Sequence, residues 1–148
     1  MKWITATELQ HWAATLSARD TFPELIADLI RATAKEIQAF RFPSGNKAQV
    51  RGFDGWLHAT GVPPYVPDGL SVWEFGASGA NATKALKDFT KRTNEVSGDK
   101  QKETTLVLAS PYTWDDPQNK LPDWIDERKN SSNWKEIVYL DGVQIKIG

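Results

Sequence analysis

Leu70-Ser71-Val72-Trp73-Glu74-Phe75 is the segment on which the fold turns. It is rich in β-branched and aromatic residues, it follows the turn signal Pro67-Asp68-Gly69, and Gly76 and Gly79 close it, so it reads as a strand. Glu74 stands inside that strand, where a charge is out of place unless it has partners. Working upstream, the proline-rich stretch 61–69 is a loop, and 55–60 and 48–51 are short strand-like runs separated by Gly52-Phe53-Asp54-Gly55. Earlier still, apolar spacing predicts one helix over 5–18 and a longer one over 22–40, with Pro23 in the first turn of the second. Phe42-Pro43-Ser44-Gly45-Asn46 breaks it. Downstream, the pattern predicts a helix over about 81–96 and a polar loop over 97–103. Residues 104–109 form an apolar run typical of a strand buried on both faces. A loop over 111–122, a helix over 124–130, a strand over 137–140 and the Asp141-Gly142 turn complete the series. This order of elements is that of a mixed α/β sandwich.

Composition narrows the chemistry. The chain of 148 residues is 40% hydrophobic and 25% charged, within the range of one ordinary globular domain. There is no long apolar run and no basic-then-apolar leader, so neither a membrane span nor a secretory signal is expected and the predicted location is cytoplasmic. The absence of cysteine removes disulfides, thiolate nucleophiles and the usual zinc sites, and two histidines cannot build a histidine-rich site. A metal would have to rest on carboxylates, which suits Mg2+ or Mn2+. The net charge of −1 argues mildly against nucleic acid, although the distribution of charge matters more than its sum. Seven scattered tryptophans read first as core and groove-lining residues.

Three carboxylates and one basic helix stand out. On a helix over 22–40, Glu36 falls inside the apolar stripe that carries Leu25, Ile26, Leu29 and Ile30, where an unpaired acid is costly. It is either a stripe-edge residue that snorkels or pairs, or a carboxylate aimed at a metal. Asp54 lies between glycines that let the chain turn sharply at the start of a strand, a weak signal alone because aspartate beside glycine is common turn chemistry. Glu74 is the stronger one. Carboxylates on neighbouring strands, joined by a third from a packed helix, make an oxygen-rich pocket for a magnesium ion beside a phosphodiester. The helix after Gly79 supplies counter-charge: Ala82, Leu86, Phe89, Thr93 and Val96 share one face, and Lys84, Lys87 and Lys91 the opposite one, with Arg92 nearby. Such a stripe is commonly only a solvated face, yet a helix N-terminus with adjacent lysines suits a phosphate backbone. His11 and His58 read as packing or surface residues. Ser71 and Ser78 lack a histidine-acid partner set, and Gly76-Ala77-Ser78-Gly79 lacks the spacing and lysine of a P-loop.

Taken together, Gly52-Phe53-Asp54-Gly55, then Val66-Pro67-Asp68-Gly69-Leu70-Ser71-Val72-Trp73-Glu74-Phe75-Gly76, then Lys84 and Lys91-Arg92-Thr93, resemble the PD-(D/E)xK, or restriction-endonuclease-like, nuclease superfamily over about residues 25–140. More narrowly they are similar to the N-terminal nuclease effector domains of bacterial anti-phage STAND-type NTPases. The resemblance implies an α/β restriction-endonuclease-like three-layer core, with a central mixed β-sheet flanked by helices. It implies Asp54, Glu74 and the backbone carbonyl of Phe75 as ligands of Mg2+ or Mn2+, with Glu36 as a helix carboxylate. Lys84, Lys87, Lys91 and Arg92 would contact double-stranded DNA. It further implies self-association for double-strand cutting, and that 1–148 is a single nuclease-like domain at the N-terminal part of a longer protein with C-terminal sensor and NTPase domains. One position departs from the pattern. The motif lysine belongs two residues after the strand acid, where this chain has Gly76, so either Lys84 has taken that role from the following helix or catalysis is impaired; the first is the expectation carried forward. The competing expectations are a catalytically inactive nucleic-acid-binding module and a protein-interaction domain on the same fold.

Overall fold

The computed structural model describes residues 18–41, 55–61, 66–76 and 79–142. Helix α1 (Ala18–Thr33) leads into strand β1 (Glu36–Arg41), followed by β2 (Gly55–Thr60) and β3 (Gly69–Phe75). Then come α2 (Ala82–Glu95), the short α3 (Gly98–Lys102), β4 (Thr104–Ala109), α4 (Leu121–Asn130) and β5 (Glu136–Leu140). The five strands form one mixed sheet in the order β1-β2-β3-β4-β5. The pairs β1–β2 and β2–β3 are antiparallel, whereas β3–β4 and β4–β5 are parallel. Parallel neighbours need a crossover, and α2 and α4 supply it.

Each face of the sheet is covered by its own core. Ile26, Leu29 and Ile30 of α1 pack on Leu57, Ala59, Trp73, Val107 and Leu140. On the other face, Ala85 and Phe89 of α2 and Trp124 of α4 pack with Trp134 on Leu106, Leu108, Ile137 and Tyr139. Strand alternation produces this division: β2 buries Gly55, Leu57 and Ala59 and exposes Trp56, His58 and Thr60. The interior strand β4 is buried at every position, as its continuous apolar run predicts. The fold is therefore α/β, a mixed sheet between helices.

Four elements differ from expectation. The helix predicted over 22–40 ends at Thr33, and 36–41 is an edge strand. Thr33 Oγ1 donates to the Leu29 carbonyl at 2.8 Å and Ala34 N to that of Ile30 at 2.8 Å, closing the helix; Lys35 N then donates to Thr60 O at 3.0 Å and opens the ladder with β2. Residues 97–103 contain a single helical turn, because Ser97 caps it with its hydroxyl. The last helix starts at Leu121 rather than 124, with Pro122 in its first turn, where a missing N–H costs nothing. On α2 the inward residues are Ala85, Phe89 and Arg92, while Leu86 is 41% exposed. The helix predicted over 5–18 and the strand-like run 48–51 lie outside the described residues, apart from Ala18, which opens α1.

Candidate functional site

The alternation that buries Trp73 against α1 turns Glu74 to the opposite face, towards α2. Its backbone neighbour across the parallel ladder is Leu108. A carboxylate in that apolar setting needs compensation, and Arg92 provides it: Arg92 Nε donates to Glu74 Oε2 at 2.6 Å, with the two side chains only 7% and 11% exposed. Arg92 Nη1 donates to Glu95 Oε2 at 2.9 Å, one helical turn on. Burial works against the guanidinium charge. The hydrogen bond and charge of Glu74, then those of Glu95, outweigh it and raise the pKa above the ordinary arginine value.

The helix segment that carries Arg92 is itself held. Gln101 Nε2 donates to the carbonyls of Thr93 (3.1 Å) and Val96 (2.8 Å), and Trp134 Nε1 donates to Thr93 Oγ1 at 2.9 Å. The other end of α2 is capped twice: Asn81 Oδ1 accepts from Lys84 N and Asp116 Oδ2 accepts from Ala82 N, both at 3.0 Å. These amides were a candidate phosphate cradle. They are already engaged, one of them by an anion, so this helix end is not an open anion site.

Lys84, Lys87 and Lys91 lie on exposed positions of α2. Lys84 folds back towards Gly79, where its Nζ stands 3.0 Å from the position a Cβ on that glycine would take. Gly79 has φ +138°, a region that suits glycine. A Cβ on Gly76 would meet Asp88 Oδ2 and Gly79 O at 3.8 Å, ordinary contact, so sterics do not explain the missing lysine at that position.

Of the residues singled out in the sequence, the structure brings Glu74 and Arg92 together. Arg92, expected among the phosphate contacts, faces inward, and that expectation is corrected: its phase matches Ala85 and Phe89 rather than the lysines. Glu36 is an exposed residue of the edge strand, opposite Thr60, and not the helix carboxylate of the apolar stripe. Asp54 lies outside the described residues; Gly55, which follows it, pairs with Trp73, next to Glu74. His58 is exposed on β2, and His11 lies outside the described residues. Among the described residues, no group of three or more histidine or acidic side chains stands close enough to hold a metal. The oxygen donors of Glu74 and the Phe75 carbonyl have the right chemistry for a hard cation, and the set is not complete without position 54.

The carboxyl ends of the parallel strands carry a second polar group of residues. Ser110 and Asp141 are buried just past β4 and β5. Burial raises the Tyr139 phenol well above its ordinary value, the charges of Asp141 and Asp88 add to this, and a hydrogen bond with Ser110 opposes it. Asp141 Oδ2 also accepts from Trp114 N at 2.9 Å, tying the loop after β4 to the end of β5. No helix among the described residues is long and apolar enough to cross a membrane. Comparison with protein-family models, with curated proteins and with solved structures gave no match.

Proposed function

We propose that the chain is a metal-dependent DNA endonuclease domain with a restriction-endonuclease-like core, acting as an effector in bacterial anti-phage defence. The observation that supports this is the antiparallel register of β2 on β3. Gly55 opposite Trp73 brings the chain that follows Asp54 to the end of the sheet where Glu74 stands, next to the carboxyl ends of the parallel strands. In open α/β sheets that is where ligands bind. Asp54, Glu74 and the Phe75 carbonyl would hold Mg2+ or Mn2+, and when bound the ion would polarise a phosphodiester and activate water. Lys84, reaching back over Gly79, would offset charge on the phosphate, and the exposed Lys87 and Lys91 would contact the DNA backbone. Double-strand cutting would call for two such domains, brought together by C-terminal sensor and NTPase domains.

Calorimetric titration of Mg2+ and Mn2+ into wild type and an Asp54→Ala/Glu74→Gln variant, with plasmid nicking assayed on the same samples, tests the proposal. Glutamine retains an acceptor for Arg92, so the variant is expected to stay folded. Binding and nicking should both vanish in it. A folded wild type that binds neither ion and leaves DNA intact refutes the proposal. Two observations favour a second reading, an inactive binding module: Oε2 of Glu74 is engaged by Arg92, and Gly76 stands where the motif lysine would be. Retained DNA binding without metal uptake would select it.

A further inference from the structure

Among the described residues, the helices on the Arg92 side of the sheet cover only part of it. There α2 and α4 pack with Trp134 on β4 and β5, and the apolar layer reaches β3 at Val72 but includes no residue of β1 or β2. One row across the ladders shows the boundary. Val72 pairs with Leu106, and Leu106 with Ile137, all in the layer beneath the helices; on its other side Val72 pairs with Trp56, and Trp56 with Arg41. Directly paired residues share a face of the sheet. Trp56 and Arg41 therefore stand on the uncovered part of that face, and both are exposed, Trp56 at 41%. His58 and Thr60, the next residues of β2 on the same side, are exposed as well.

We propose that this open face is a binding platform for single-stranded nucleic acid: Trp56 stacks on one base, His58 meets the next, and Arg41 contacts the phosphate backbone beside them. Every base has a π-face, so an exposed ring beside a cation holds a single strand without needing a particular sequence. Spacing favours an unpaired strand. Residues two apart on a β-strand stand about 6.6 Å apart, well beyond the ~3.4 Å step between bases stacked in a duplex. Two successive bases thus reach Trp56 and His58 only when the strand is drawn out. The surroundings do not suit a protein partner, whose docking patch is poor in charge at its centre, because the ring is bordered by Arg41 and His58, with Thr60 beyond. The acid of β1, Glu36, lies at the opposite end of that strand, about 16 Å from Arg41. Glu74, the residue of β3 that follows Val72 on this face, has its charge met by Arg92. The platform needs no metal and does not depend on the nuclease reading.

The test is fluorescence anisotropy of a labelled oligodeoxythymidine of about ten nucleotides, within the site size of single-strand binders, titrated with the full chain in EDTA across a range of salt. A blunt duplex of the same length is the comparison, and circular dichroism and sedimentation velocity report folding and self-association. Wild type is expected to bind the single strand more tightly than the duplex. Trp56→Ala should weaken that binding by about 5- to 150-fold, and Trp56→Phe by less, since a ring remains. Arg41→Gln should lower the slope of log affinity against log salt by about 0.7, the share of one phosphate on a single strand. Both positions are exposed, so the variants are expected to fold as wild type does. An affinity that Trp56→Ala leaves unchanged overturns the inference, because the lysines of α2 alone would bind in that way. A wild type that prefers the duplex, or binds neither, overturns it too. Self-association that Trp56→Ala abolishes, without binding of the oligonucleotide, also overturns it and assigns the face to a second copy of this chain. If Trp56→Ala does not fold, Trp56→Phe and Arg41→Gln decide: a lowered affinity in the first with a lowered slope in the second supports the inference, and the absence of either overturns it. With divalent ions removed, each of these results leaves the metal-dependent reading as it was.

Discussion

Replacing Arg92 by methionine tests the energetics of the buried pair directly. Methionine keeps much of the side-chain volume and removes the charge, so Glu74, 9% exposed, is left without its guanidinium partner. Breaking a buried pair from one side costs about 3–5 kcal/mol, because the remaining charge stays desolvated without compensation. The loss of the Arg92–Glu95 contact adds little, since Glu95 is 41% exposed and an exposed pair contributes about 0–1 kcal/mol. In a domain whose whole stability is about 5–15 kcal/mol, that is about a fifth or more. At about 2–4 °C per kcal/mol for a domain of this size, the melting temperature should fall by about 6–20 °C. Urea unfolding of wild type, Arg92→Met, Glu74→Leu and Glu74→Leu/Arg92→Met completes a double-mutant cycle. Glu74 pairs with Leu108 in the ladder and turns to the side of the sheet covered by α2, so the double variant should recover most of the loss. A single-variant loss below about 1 kcal/mol, or a double variant no more stable than Arg92→Met, refutes the account of an orphaned buried charge.

Further outcomes follow from other contacts. Gly61→Ala would drive a Cβ into the Val66 carbonyl and to 2.7 Å from Pro67 O, so it should cost about 1–3 kcal/mol or more, measured as a fall in the urea midpoint. Trp134→Phe removes the Nε1 bond to Thr93 Oγ1 and should cost about 0.5–1.5 kcal/mol beyond the lost burial, with faster hydrogen exchange at the end of α2. Asp116 is held below its ordinary value first by the Ala82 amide and then by Asn119. Its contribution is therefore present above the unfolded value of 3.8 and lost as pH falls through the lower folded value, and Asp116→Asn should flatten that acid limb in urea midpoints taken across pH. The Tyr139 phenol is raised by burial and by Asp141 and Asp88, so its contribution holds below the unfolded value of 10.0 and is lost as pH rises above it. Phenolate absorbance should show a component that titrates only as the chain unfolds and is absent from Tyr139→Phe.

The strands β2, β3 and β4 were legible because each carries its own boundaries and a pattern that only one structure satisfies. Residues 36–41 were not. Ile37 and Phe40 continue the helical spacing of Ile26, Leu29, Ile30 and Thr33, and in six residues the helical and extended periods both fit. What decides is pairing with β2, beginning at Lys35 N to Thr60 O, and that is a long-range contact which spacing does not contain. The capping turn at Ser97 was readable in principle from a serine followed by Gly98 and Asp99. Arg92 was also within reach. Three residues beyond Phe89 and seven beyond Ala85, it shares their phase, and a charge at an apolar phase is the signal that marked Glu74 in its strand. Each of these misplaced charges is the other's explanation; the lysines around Arg92 obscured it by making the whole helix look basic.

That pairing also bears on why the charges are there. A buried ion pair is a poor way to stabilise a fold, since apolar residues of similar volume often do as well or better by about 1–4 kcal/mol. Glu74 sits between Trp73 and Phe75, in a face whose other members on β4 are Leu106 and Leu108, so the sheet offers every condition for an apolar residue at that position. If Glu74→Leu/Arg92→Met is more stable than wild type, the pair lowers the stability of the fold, and a role for the carboxylate other than packing is the reason to keep it. If the double variant is less stable by more than about 2 kcal/mol, the pair is structural, and the case for Glu74 as a ligand rests on its register with β2 alone. The same four proteins that close the cycle thus separate a carboxylate kept for chemistry from one kept for the fold.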